Sequence, residues 1–273
     1  MNKLVTGDCV DGMNALLPAS ADLVFADPPF NIGFDYGVGE YKDKLADDEY
    51  LQWCRRWLVA IWYVLKPTGT FWLAIGDEYV SELDVLAKEI GFFKRSHICW
   101  YYTFGVNSPN KFTRSHTQLL YFTKHKTKFT FNAPDVRVPS ARALVYKDKR
   151  ANPDGRLPDD TWILRPQEIP EGFPDDHDTW HYPRIAGSFH RRQPGAANQM
   201  PEQLLGRVIR ACSNTNDVVL DPFTGTGTTL VVAKKLGRKY IGYELSEAFA
   251  KAARKRIAAA KLDEPLDTPI PKD

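Results

Sequence analysis

The 273-residue chain is poor in cysteine: Cys9, Cys54, Cys99 and Cys212 are its four. No two of them stand at metal-ligand spacing, and they suggest no framework of bridges. They read as reduced thiols in a cytoplasmic protein whose site holds no metal. No apolar run is long enough to cross a bilayer, and no signal-peptide pattern opens the chain. No segment repeats another.

What the chain does have is an ordinary composition with an uneven charge. Hydrophobic residues make up 43% and charged residues 26%, which suits a folded soluble protein. The length suits one large α/β domain, or one domain with an inserted module, and allows a substantial core. The formal net charge is only +2. Residues 1–93 nevertheless carry 7 Lys/Arg against 15 Asp/Glu, and residues 94–156 carry 13 against 3. Residues 157–273 carry 16 of each. The basic stretch is either a phosphate-binding surface or a solvated basic face.

Strands and helices alternate at both ends of the chain. Lys3–Thr6, Leu23–Ala26, Thr70–Ile75, His97–Tyr102, Gln118–Thr123, Val218–Leu220 and Tyr240–Tyr243 are predicted strands. Helices are predicted over 47–65, 78–90, 201–212, 228–236 and 246–260. Asp47 or Asp48 can cap the first, and Leu51, Cys54, Leu58, Ile61 and Leu65 share its inner face. Trp53, Trp57, Trp62, Tyr63 and Val64 spread around the rest of that helix. It is either covered by a second copy of the chain or buried on both sides within one copy. From 126 to 197 periodicity dissolves into Pro, Asp, Arg and aromatic residues. That stretch is a small irregular subdomain or a partly mobile one. The tail from 263 is expected to be loose. The alternation argues for a doubly wound, mostly parallel sheet.

Two motifs carry chemistry. The first is Asp27-Pro28-Pro29-Phe30, at the end of a predicted strand. Ligands of open α/β sheets bind at that edge. Two prolines fix the backbone between a carboxylate and an aromatic ring. The second is Asp221-Pro222-Phe223-Thr224-Gly225-Thr226-Gly227-Thr228-Thr229, again after a strand. Its glycines let the backbone approach a ligand closely. No Lys follows the second glycine, so it is not a Walker phosphate loop. Glu244 stands where a ribose-binding carboxylate is expected in a mononucleotide-binding unit.

With both motifs in this order, the chain resembles the beta group of DNA amino-methyltransferases. The resemblance spans residues 1–130 and 190–260. It implies a seven-stranded, Rossmann-like, circularly permuted methyltransferase sheet. Residues 1–125 then hold the catalytic part, 126–197 an inserted target-recognition region, and 198–262 the cofactor-binding part. It implies S-adenosylmethionine as methyl donor and the N6 amino group of a flipped-out adenine in double-stranded DNA as target. The N4 group of cytosine is the alternative; Asp rather than Ser before Pro-Pro resembles the adenine pattern. An RNA or protein amino-methyltransferase is a more distant alternative. No Pro-Cys dipeptide offers the nucleophile of ring-carbon cytosine methylation.

The resemblance also distributes roles. Asp27, Pro28, Pro29 and Phe30 would hold the target base. Asp8, Asp27, Gln199, Asp221, Phe223, Gly225, Gly227, Thr228, Thr229 and Glu244 would surround the donor. Among these, Asp221 would take the donor's ammonium and Glu244 its ribose hydroxyls. The segment Ala196 to Pro201 departs from the family's His-Pro-x-Gln-Lys-Pro. Lys124, Lys126, Lys128, Arg137, Arg142, Lys147, Lys149 and Arg150 are the candidate DNA contacts in the basic stretch. A homodimer and a paired restriction endonuclease are the protein partners implied.

Overall fold

Strands take the short apolar runs and helices the amphipathic ones. The computed structural model describes residues 2–34, 43–101, 109–110, 112–138, 140–144, 146–162 and 199–267. Among these, the strands are β1 (Asn2–Thr6), β2 (Ala21–Ala26), β3 (Leu65–Ile75), β4 (Phe93–Tyr101), β5 (His116–Thr123), β6 (Thr161–Trp162), β7 (Val218–Asp221) and β8 (Lys239–Glu244). The helices are α1 (Cys9–Asn14), α2 (Asp47–Val64), α3 (Val80–Ile90), α4 (Ala141–Leu144), α5 (Glu202–Cys212), α6 (Thr228–Lys235) and α7 (Glu247–Ala259).

One sheet runs in the order β1-β8-β7-β2-β3-β5-β4-β6. Strand β5 is antiparallel to both neighbours, and every other pairing is parallel. Seven strands are substantial and β6 is a two-residue edge pairing, so the sheet is the Rossmann-like methyltransferase sheet expected. Segments from both ends of the chain interleave in it: β8 lies beside β1, and β7 beside β2.

Side chains alternate across the sheet, so each strand serves two cores. Val24 and Ala26 face the layer of α1, α2 and α3. Leu23 and Phe25 face the layer of α5 and α6. The sheet is thus doubly wound. Burying a side chain such as Leu23 or Phe25 contributes about 1.5–3 kcal/mol each.

Several local expectations are corrected. Helix α1 was not legible, because six residues are too few to show a period; Asp8 caps it, accepting from the N–H of Val10 at 2.8 Å. Helix α2 has no side-chain cap at its start, and Asp47 instead accepts from the Tyr79 hydroxyl. Strand β3 starts at Leu65, its ladder with β2 shifting register between Ala21 and Leu23 around the Lys66–Gly69 segment. The tail is seated as far as Asp267: Leu266 is buried beside α5, and Glu202 accepts from the Asp267 N–H at 3.0 Å. Tyr102, residues 163–198 and residues 268–273 lie outside the described residues.

The wide apolar surface of α2 is used within the chain. Trp57 and Val64 are fully buried, and Trp53 and Trp62 pack against the same core. Its outward positions include Gln52, Arg55 and Arg56, with Val59 and Tyr63 as the exposed large apolar residues. Internal burial therefore accounts for the pattern, and the helix gives no reason to expect a second copy. No helix among the described residues is long and apolar enough to cross a membrane.

Candidate active site

Strands β1, β2, β3, β7 and β8 end at one edge of the sheet. Chain order reverses between β7 and β2, since β7 leads outward to β8 and β2 outward to β3. A crevice opens at such a switch point. A cavity of about 240 Å³ lies there. Asp27, Pro28, Pro29 and Phe30 enter it from β2; Asp221, Phe223, Gly225, Thr228 and Thr229 enter from the turn after β7. Asp8 comes from the end of β1, Glu244 from the end of β8, and Gln199 from the segment before α5. Two motifs almost 200 residues apart thus share one pocket.

Gly227 is the exception. At φ +87, a Cβ on it would sit 2.8 Å from that of Ala253, so it lets α6 pack against α7. Gly225 differs: φ is +52, and a Cβ there would meet nothing within 4 Å. The backbone at Gly225 therefore presents an open face.

The turn is held by its own carboxylates. Asp221 Oδ1 accepts from the Phe223 N–H at 2.9 Å, and Glu244 Oε2 from the Gly225 N–H at 2.7 Å. The other Glu244 oxygen accepts from the Ser246 N–H at 2.8 Å. Each oxygen keeps a second lone pair for a ligand hydroxyl. Burial pushes the Asp221 carboxyl up to about 7, against the Thr229 and Phe223 hydrogen bonds, with Glu244 adding to the rise. Burial raises Glu244 as well. Two desolvated carboxylates beside an open glycine fit a ligand that brings an ammonium and ribose hydroxyls. From behind, Arg256 Nη1 donates to the Thr226 carbonyl at 2.7 Å.

The Asp27–Phe30 loop is shaped by its surroundings. Tyr50 donates its hydroxyl to the Pro29 carbonyl at 2.7 Å. Among the described residues the Pro28 carbonyl takes no hydrogen bond, and Pro28 lines the cavity. Phe30 is buried against the cavity wall, close to where a side chain on Gly76 would stand.

A protein-family model described as DNA methylase matches residues 21–255. The type II methyltransferase M.HpaI of Haemophilus parainfluenzae is 33% identical over 93% of this chain and 74% of its own length. The DNA adenine methyltransferase YhdJ of Escherichia coli K12 is 30% identical over 94% of this chain and 83% of its own. The chain belongs to the DNA methylase family. A crystal structure of a candidate DNA modification methylase from Thermus thermophilus superposes with a TM-score of 0.61 at 22% identity. It covers 95% of this chain and 96% of that one, a likeness of fold.

In this DNA methylase none of the eight basic residues singled out in the sequence lines the cavity. Strand β5 is antiparallel, so it starts at the cavity edge with His116 and ends at the opposite edge with Thr123. Lys124, Lys126 and Lys128 follow it there. The Lys124 ammonium donates to the carbonyls of Trp62 and Leu65, the latter at 2.7 Å, and lies over the Trp62 ring. Burial lowers its pKa. These contacts tie the ammonium to the fold. Arg137 donates to the Gly155 carbonyl at 2.7 Å, while Arg142 and Arg150 share the Asp148 carboxylate. Lys147 and Lys149 are exposed.

Sequence reasoning missed other walls of the methylase pocket, among them Trp53, Met200, Tyr243 and Phe249. Trp53 reaches Phe223 with ring centroids 5.7 Å apart. Its position off the inner stripe of α2 was the available signal.

Proposed function

We propose that this DNA methyltransferase uses S-adenosylmethionine and methylates the N6 amino group of adenine in double-stranded DNA. The observation that carries the reading is the meeting of Asp27–Phe30 and Asp221–Thr229 in one cavity at the switch point. For adenine, the support is Asp at the head of the loop, and the likeness to a relative named a DNA adenine methyltransferase. For the donor, it is the buried Asp221 and the half-buried Glu244 beside the open Gly225 face.

An exocyclic amino group is a poor nucleophile, because its lone pair is delocalised into the ring. The Asp27 carboxylate and the Pro28 carbonyl would each accept one of its N–H bonds. That draws the nitrogen toward tetrahedral geometry and frees the lone pair, a preorganised electrostatic effect. When bound, the donor supplies an electrophilic methyl on a sulfonium. Asp221 would hold the donor's ammonium and Glu244 its ribose hydroxyls. No covalent enzyme intermediate is required. The target nitrogen is inaccessible in a duplex, so the base must leave the stack, at a cost of a few kcal/mol. Stacking on Phe30 returns on the order of 1–3 kcal/mol.

The test is transfer of labelled methyl to unmethylated DNA, followed by digestion and mass spectrometry of the nucleosides. N6-methyldeoxyadenosine is expected. N4-methyldeoxycytidine would replace adenine by the alternative target, and label in RNA or protein but not DNA would overturn the reading. A paired restriction endonuclease is proposed from the likeness to a relative named a type II methyltransferase. A homodimer rests on the family resemblance alone once α2 is accounted for; light scattering tests it against the 31.0 kDa monomer.

A further inference from the structure

The segment carrying Asp27 and Phe30 is neither helix nor strand, so beyond the stiffness of its two prolines its placement depends on contacts from outside it. We propose that Asp43 is the positioning residue that fixes it, acting through Asn31, and that turnover depends on Asp43 while donor binding does not. The inference rests on Asp27–Phe30 being the loop that grips the target base.

Asp43 is buried and gathers four successive backbone N–H groups. Its Oδ1 accepts from Asn31 at 2.8 Å, and its Oδ2 from Ile32 at 3.2 Å and Phe34 at 2.9 Å. Its own carbonyl accepts from the Gly33 N–H at 2.5 Å. A concave run of N–H groups is an anion site. Here the anion is a side chain of the chain itself. Charge-assisted bonds of this kind are roughly twice as strong as neutral ones.

Asn31 transmits the hold to the loop. It follows Phe30 directly and has φ +59, a left-handed conformation that Asn tolerates better than most residues. Its side-chain oxygen accepts from the Leu45 N–H at 2.6 Å. Its Nδ2 donates to the Leu45 carbonyl at 3.1 Å and to the Tyr79 hydroxyl at 2.8 Å. Tyr79 in turn donates to Asp47 at 2.8 Å. Neither Asp43 nor Asn31 lines the cavity, so neither touches donor or base there. Their effect is on where Phe30 and Asp27 stand, and misplacement by about 1 Å can cost on the order of a hundredfold in rate.

Asp43→Asn keeps the size and turns one acceptor oxygen into a donor facing an N–H. Methyl transfer to amplified, unmethylated genomic DNA should fall at least tenfold in kcat. Donor Kd by calorimetry should stay within twofold. Tyr79→Phe should lower kcat less, and adding it to Asp43→Asn should lower kcat by less than the product of the single effects, because both act through Asn31. If Asp43→Asn does not fold, Tyr79→Phe carries the test by the same split. Wild-type kcat in the folded variants overturns the proposal, as does donor affinity lost in step with kcat, or strict additivity. Asp27→Ala is measured beside them. Activity retained there would remove the loop from the chemistry; an inactive Asp27→Ala with fully active Asp43 and Tyr79 variants would sink the positioning role alone.

Discussion

Asp27 follows the end of β2 and Asp221 ends the neighbouring β7, and the proposed reading gives them opposite tasks. Asp27 lines the cavity but is less enclosed than Asp221. Asp27→Ala should therefore leave donor binding nearly intact and abolish methyl transfer. A loss of less than about tenfold, or about 1.4 kcal/mol of barrier, would take Asp27 out of the chemistry. Asp221 is buried, and desolvation lifts its carboxyl to about 7. A donor ammonium needs that carboxylate charged, so donor affinity should weaken as pH falls through about 7. The stability contribution runs the other way. A carboxyl raised in the folded state binds more protons there than when unfolded, so this group favours the fold most at low pH. That contribution fades as pH rises from the ordinary carboxylate range to about 7. Calorimetry with S-adenosylmethionine on either side of that value, and thermal melts of the ligand-free protein, should show the opposed trends. A pH slope that survives in Asp221→Asn would assign it to another group.

Among elements, the two glycines of the turn after β7 look interchangeable in the sequence and are not in the fold. Gly225 offers its missing side chain to the cavity, whereas Gly227 offers its own to α7. Both have positive φ, which costs an L-residue about 1–2 kcal/mol. Gly225→Val should thus lose donor binding while keeping most of its stability. Gly227→Val should lower the melting temperature further, because the Ala253 contact must also shift. Equal melting losses, or normal donor binding by the Gly225 variant, would contradict this division. The two motifs were legible because each is a short apolar run cut off by Asp-Pro, and such punctuation survives in one dimension. Asp43 was not legible, since its partners are backbone N–H groups that every non-proline residue carries. Trp53 and Trp57 were read as surplus apolar surface because their cover, Phe223, lies far along the chain.

Across the whole molecule, a charge count locates a basic stretch in the sequence but not on an edge of the sheet. Residues 94–156 are basic as a block, yet β5 carries the chain from the cavity edge to the far edge within it. Eight strand residues span about 27 Å, at roughly 3.4 Å each. Lys126 and Lys128 therefore stand far from the crevice. Arg114, absent from the sequence-based set, stands close. A Cβ on Gly76 would lie 3.0 Å from its Nη1 and 3.3 Å from Phe30. It pairs with Glu78, and a DNA phosphate reaching this edge would compete with that carboxylate. The log–log dependence of DNA affinity on salt separates these surfaces, because each phosphate contact adds about one unit of slope. Lys126→Gln with Lys128→Gln should leave the slope unchanged, and Arg114→Gln should lower it by about one. Neutralising Arg142, Lys147, Lys149 and Arg150 together asks whether the exposed cluster at Asp148 adds further contacts, again about one unit each. A drop of about two units in the Lys126 and Lys128 variant would bring the far edge back into contact with DNA, which the direction of β5 argues against.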